Sequence, residues 1–233
     1  NAPLHPEIRL ADPNPFMPTS FAICESEKNK SSLPIRIAQN DFGTAYYARA
    51  EEFQSPEAAL SLHILSPKLG GSAKQECLAA LYLDILNDRI HPMLAAADDA
   101  GLKARLSSAR SRIHLQIEGF SDKAPLLLQE ILKKISTPVN ASKEEFEACK
   151  SKQRKEYANG ALDLPCIQAK EIALSLIDTD KRTKKEKLAA LEKIGYAEFL
   201  SFSRSLFEET YAEALFAGNL TLKDAESAWL DVR

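Results

Sequence analysis

Residues 58–120 hold four consecutive stretches, AALSLHIL (58–65), GGSAKQECLAALYLDILNDRIHPMLAAADDAG (70–101), LKARLSSA (102–109) and RIHLQIEGF (112–120), whose periodicities differ. In the first, Leu60, Leu62 and Ile64 alternate with small or polar residues, the two-residue period of a half-buried strand. In the second, Leu78, Leu81, Tyr82, Ile85, Leu86, Ile90, Met93, Leu94 and Ala97 recur at helical spacing behind a Ser72…Gln75 capping box. A helix is therefore expected from about Ala73 to Asp99, kinked or interrupted at Pro92, which lacks an N–H, and ended by Gly101. The last two stretches return to a period of two, with Ile113, Leu115 and Ile117 on one face, and read as a hairpin.

Working outward, Leu10 to Phe21 is rich in Pro and Asn and cannot form a regular helix, so it reads as an extended arm. The runs from Leu33 and from Gly43, joined by a turn at Asn40-Asp41, read with the strand at 58–65 as an antiparallel meander. C-terminal to the hairpin the pattern is mostly helical. Helices are expected at about 123–135, 143–159 (Ser142…Glu145 box), 166–177, 184–192 (Thr183…Glu186 box) and 197–209. A late strand from Tyr211 to Ala217 is then followed by a terminal helix capped by Thr221. Strands grouped apart from helices, without strict alternation, argue an α+β fold: an antiparallel-rich mixed sheet with helices packed mainly on one face. Residues 1–9 read as a tag remnant and linker, and 10–233 as a single domain taken from a longer chain.

The 233 residues carry 30 Lys+Arg against 33 Asp+Glu, a formal charge of -3, with 45% hydrophobic and 7% aromatic content. No apolar run reaches the roughly 18 residues of a membrane span, and the near-neutral balance disfavours nucleic acid as a partner. Cys24, Cys77, Cys149 and Cys166 form no Cys-x-x-Cys pair and read as structural thiols. Neither a periplasmic nor a cytoplasmic location is selected.

A search for chemistry returns structural readings. His5, His63, His91 and His114 lack the i, i+4 spacing of a helical zinc site. Gly119-Phe-Ser121-Asp-Lys123 has Lys where a serine nucleophile elbow needs its second Gly, and Ser121 reads instead as a helix N-cap. Gly70-Gly71-Ser72 lacks the Gly-Lys-Ser/Thr of a phosphate loop. The run Lys181-Arg-Thr-Lys-Lys-Glu-Lys187 reads as a solvated helix start. Sequons stand at Asn29, Asn140 and Asn219, the latter two also reading as turn residues. Tyr46, Tyr47 and His63 lie in strands whose exposed face alternation alone does not identify.

In order along the chain, several pieces form a recognisable series: Leu10-Ala-Asp-Pro-Asn-Pro-Phe-Met-Pro, Tyr46-Tyr47 with Phe53 and Pro56-Glu57-Ala58, Tyr82 to Ile90 with Ala100-Gly101-Leu102, and Gly119 to Lys123. Phe146, Lys150, Tyr157, Asn159, Pro165, Gln168, Ala169 and Gly218-Asn219 complete it. From about Ile8 to Thr221 the chain resembles the third of the four homologous domains of the insulinase (pitrilysin) family of zinc metallopeptidases, a fold shared with mitochondrial processing peptidase. Pro92, Glu57 and Arg110-Ser111 depart from the family pattern. The resemblance implies a non-catalytic domain with no catalytic, metal or cofactor-binding residue of its own. Zinc is implied only in the first domain, on a His-x-x-Glu-His motif and a distant Glu. The implied role is to enclose peptide substrates in a chamber together with the other domains of the same polypeptide. The alternative is a catalytically inactive relative serving as scaffold or peptide-binding subunit.

Overall fold

Ser72 accepts a hydrogen bond from the Gln75 amide (3.2 Å) and opens α1, Ala73–Asp99. The helix contacts the sheet at its edge, and Leu78, Leu81, Tyr82, Ile85 and Leu86 are buried in the core. The computed structural model describes residues 12–24, 33–49, 54–109, 111–178 and 181–232. The expected tag remnant and linker, His5, Phe53, Arg110 and the Asn29 sequon lie outside them. The strands are β1 (Ile35–Asn40), β2 (Gly43–Ala48), β3 (Glu57–Leu65), β4 (Leu102–Ala109), β5 (Arg112–Phe120) and β6 (Tyr211–Gly218). After α1 come α2 (Ala124–Ser136), α3 (Lys143–Asn159), α4 (Pro165–Ile177), α5 (Lys184–Leu191), α6 (Tyr196–Ser205) and α7 (Leu222–Val232).

The strands form one sheet in the order β1-β2-β6-β3-β5-β4, in which only β2 and β6 run parallel. This corrects the expected meander. β1 and β2 form a hairpin, with Asn40 Oδ1 accepting from the amides of Phe42 and Gly43, but β6 then inserts between β2 and β3. The α+β class and the mixed, antiparallel-rich sheet hold. Leu60, Leu62, Ile64, Ile113, Leu115, Ile117, Ala212, Ala214 and Phe216 point to the helical side and are buried. Each large aliphatic among them contributes about 1.5–3 kcal/mol by leaving water. α1, α2 and α7 contact the sheet, and α3 and α5 cover α1 from outside.

Pro92, expected to kink or interrupt α1, does not interrupt it: the helix runs from Ala73 to Asp99 with the proline inside. The bond lost to the missing N–H is the one from the Asp88 carbonyl, and both Asp88 and Pro92 are exposed, so water can take its place. The α1 C-terminus is as expected, with Gly101 at φ +79 following Ala100. α6 ends at Ser205, earlier than its periodicity suggests. There Lys68 Nζ donates to the Ser205 carbonyl (2.9 Å) and Ser66 Oγ to that of Leu206 (2.8 Å), satisfying the helix end. Ser111 occupies left-handed backbone at φ 61, a conformation that glycine adopts without steric cost. Ser121 does not cap α2; it begins a 3-10 turn, Ser121–Lys123, and its hydroxyl accepts from Asn219 Nδ2 (2.9 Å).

Candidate functional site

Because side chains alternate across a strand, burying one face of the sheet commits the other to a single set of residues. Burial alternates along β3, along β5 as far as Ile117 and along β6 as far as Phe216, and the residues of these strands opposite the helical layer are half-buried or exposed. Strand register arranges them in two rows. One runs Thr44, Glu213, His63, His114, Ser107, and the next Arg36, Tyr46, Leu215, Ser61, Gln116, Arg105, each residue paired with the next across adjacent strands. Thr44, Tyr46, Ser61, His63, Glu213 and Leu215 line a shallow depression of about 440 Å³.

The polar groups on this face are linked. The rings of His63 and His114 meet edge-to-face with centroids 4.4 Å apart, and His114 Nε2 lies 3.1 Å from Ser61 Oγ. Arg112 donates to Glu213 Oε2 (3.3 Å), which stands 4.0 Å from His63 Nδ1. Thr44 Oγ1 and Tyr211 Oη share a hydrogen bond of 2.7 Å. Burial pushes the His63 imidazole below its ordinary pKa of 6.5; His114 and Arg112 push the same way, and Glu213 opposes them.

His63 is thus favoured neutral in the fold. As pH falls below 6.5 the unfolded chain takes up a proton that folded His63 resists, so stability decreases from that point downward. Chemical denaturation at pH 7.5 and 5.5 is expected to show a lower midpoint at 5.5, with His63→Gln narrowing the difference. An unchanged difference in the variant would remove His63 as its source. The depressed carboxyls of Asp122, Glu145 and Glu186 titrate below the ordinary carboxylate values and act in a lower window.

The tyrosine and histidine question is resolved by register. Tyr46 and His63 stand on the open face, whereas Tyr47 is in the core with its hydroxyl donating to the Leu220 carbonyl (2.7 Å). His91 is exposed on α1. Among the described residues no group of three His, Cys, Asp or Glu is placed to hold a metal ion, and no His-x-x-Glu-His exists in the sequence, so these residues do not fit a catalytic zinc. Among the described residues no helix is long and apolar enough to cross a membrane. All four cysteines are free; Cys77 and Cys149 are buried, and Cys166 is exposed. In the basic run, Lys184 pairs with Asp163 (2.6 Å), Lys187 pairs with Glu76 (2.8 Å) and Arg182 donates to the Gly71 carbonyl.

The motif at Gly119 is an anchor for the N-terminal arm. Asp122 accepts from both the amide and hydroxyl of Thr19, at 2.8 and 3.0 Å, and Phe120 packs edge-on against Phe21. Asn219 completes the anchor: its Oδ1 accepts from the Cys24 amide (2.8 Å), and its Nδ2 donates to Ala22 O and Ser121 Oγ, both at 2.9 Å. Its sequon is therefore closed, while the exposed Asn140 is open. Sequence reasoning read Asn219 as a turn residue and missed this role. The only available signal was its place beside Gly218 in the family pattern.

The comparisons with known proteins agree with this architecture. Residues 1–190 match the family model described as the middle or third domain of peptidase M16. The chain belongs to the M16 peptidase family. It is 28% identical to human insulin-degrading enzyme over 225 residues, covering 97% of this chain and 22% of that protein. To human nardilysin it is 25% identical, covering 95% and 19%. In fold it resembles pitrilysin, with a TM-score of 0.85 at 21% identity over 97% of this chain and 24% of the other. It also resembles a peptidase M16 inactive domain from Pseudomonas fluorescens, with a TM-score of 0.63 at 12% identity over 85% and 50%. This M16 middle domain spans about a fifth of the length of the curated relatives it matches.

Proposed function

We propose that residues 10–233 are a single, non-catalytic domain forming part of the peptide-enclosing chamber of a zinc metalloendopeptidase, with the open sheet face turned toward the peptide. The observation that carries this reading is that face itself. A sheet with one side under helices and the other lined by Tyr46, Ser61, His63, His114, Gln116 and Glu213 offers hydrogen-bonding groups to a passing chain, without the apolar surface that would close it against a second layer. Peptide cleavage then resides outside this domain, on the zinc site that the family resemblance places elsewhere in the polypeptide.

The test uses the full-length polypeptide carrying a photoactivatable phenylalanine analogue at Tyr46 or, as a control, at Lys155 on the exposed side of α3. A mid-length peptide substrate is expected to crosslink at 46 and not at 155. Equal labelling at both, or labelling at neither, overturns the assignment of the face. Cleavage by the same protein that a chelator abolishes separates an active peptidase from an inactive relative that only captures peptides.

A further inference from the structure

α4 is a helix of 13 residues in which no residue is buried. It is also apolar on several sides: Ile167, Ile172, Leu176 and Ile177 are exposed, as are Leu162 and Leu164 just before it, and Leu176 and Ile177 each expose 81% of their surface. A helix of this length is marginal in water on its own, and one that turns apolar side chains to solvent on more than one side needs a cover. Its ties to the rest of the chain are chiefly polar and lie toward its N-terminal half. Gln168 donates to the carbonyls of Ala161 and Asp163, and Glu171 accepts from the Lys184 amide. In the C-terminal half, Leu174 and the C-cap Asp178 face a small cavity shared with Tyr157, while Leu176 and Ile177 stand in solvent.

We propose that α4 is the docking surface for another domain of the same polypeptide, and that the partner face is apolar with an acidic rim. The family resemblance supplies the occupant, because the relatives extend over four to five times the length of this chain and this is their middle domain. Charge supplies the rim. Lys170 on α4 and Lys181 just beyond its end are exposed, while Asp163 and Glu171 are engaged by Lys184. The same lysines argue against a second copy of this chain as occupant. A two-fold contact through α4 would set the two sets of lysines against each other. The basic run at 181–187, read from sequence as a solvated helix start, thereby gains a role at the border of an interface. The inference rests on this chain being one domain of a longer protein and is independent of what the open sheet face binds.

Cys166, exposed in the first turn of α4, provides the probe. It lies on the same stripe of the helix as Ile177, eleven residues on. In the full-length polypeptide without peptide, maleimide modification of Cys166, followed by mass spectrometry, is expected to be at least about tenfold slower than that of a small-molecule thiol. Leu176→Glu/Ile177→Glu, which alters two side chains already in water in this chain, is expected to restore the fast rate by disrupting the contact. Fast modification of the unaltered full-length protein overturns the proposal. So does slow modification that the double substitution leaves unchanged, and so does a rate that rises on dilution, which would identify a second copy as the cover.

Discussion

Gly119→Ala is expected to leave the chain unable to fold stably, a loss of more than about 4 kcal/mol, the range reached by backbone strain combined with buried overlap. Gly119 sits at φ +131, a conformation closed to residues with a side chain. A Cβ there would overlap the Gly101 carbonyl oxygen and come within 3.1 Å of Leu102 Cα. These are backbone atoms of β4 where it leaves α1, and they cannot turn aside as a side chain can. Phe120 packs over Gly101 from the same strand, so the substitution would disturb the α1 C-terminus, the β4–β5 hairpin and the arm anchor together. The control is Gly195→Ala, where an added Cβ meets nothing within 4 Å. Denaturation of the two variants is expected to show the control within about 1 kcal/mol of the unaltered chain and Gly119→Ala without a folded baseline. A cooperative transition for Gly119→Ala within about 1 kcal/mol of the parent would show that this hairpin end relaxes more readily than its geometry indicates.

The same motif shows how far the sequence could be read. Helices α1, α3 and α5 were legible because their caps and periods are local: the Ser142…Glu145 and Thr183…Glu186 boxes form with both reciprocal hydrogen bonds. Strands β3, β5 and β6 were legible by alternation. Their order was not, since placing β6 between β2 and β3 depends on contacts between residues about 170 positions apart, which no local period encodes. The open face was hidden for the same reason. His63 and His114 each read as a lone strand histidine, and only the antiparallel register of β3 and β5 sets their rings together. That Pro92 does not interrupt α1 was not legible, because it depends on whether the orphaned carbonyl faces solvent, a property of packing and not of sequence. The Gly119 to Lys123 motif serves as an arm anchor, and that use needed partners at Thr19 and Asn219, about 100 residues away on either side.

The arm gives the second large effect. Asn219→Ala removes three hydrogen bonds at a buried site: the acceptor of the Cys24 amide and the donors to Ala22 O and Ser121 Oγ. Alanine leaves those partners to find water or remain unpaired, at about 1–3 kcal/mol for each group that stays buried, so a total loss of about 2–4 kcal/mol is expected. The loss should be concentrated in the arm, because Asn219 links three segments distant in sequence, at 22–24, 121 and 219, and the remaining contacts of 19–24 with the body include Thr19–Asp122, Phe21–Phe120 and the Arg49 guanidinium on the Cys24 carbonyl. Limited proteolysis is the readout: cleavage between Phe21 and Cys24 is expected to become faster by a factor of ten or more while the β3–β5 core remains intact. Asn219→Asp divides the effect, since it keeps an acceptor for Cys24 but turns a donor into a second acceptor facing the Ala22 carbonyl. It is therefore expected to destabilise about as much as alanine. If Asn219→Asp instead matched the parent in both stability and proteolysis, the two donor bonds would contribute little, and residue 219 would hold the arm through its acceptor for the Cys24 amide alone.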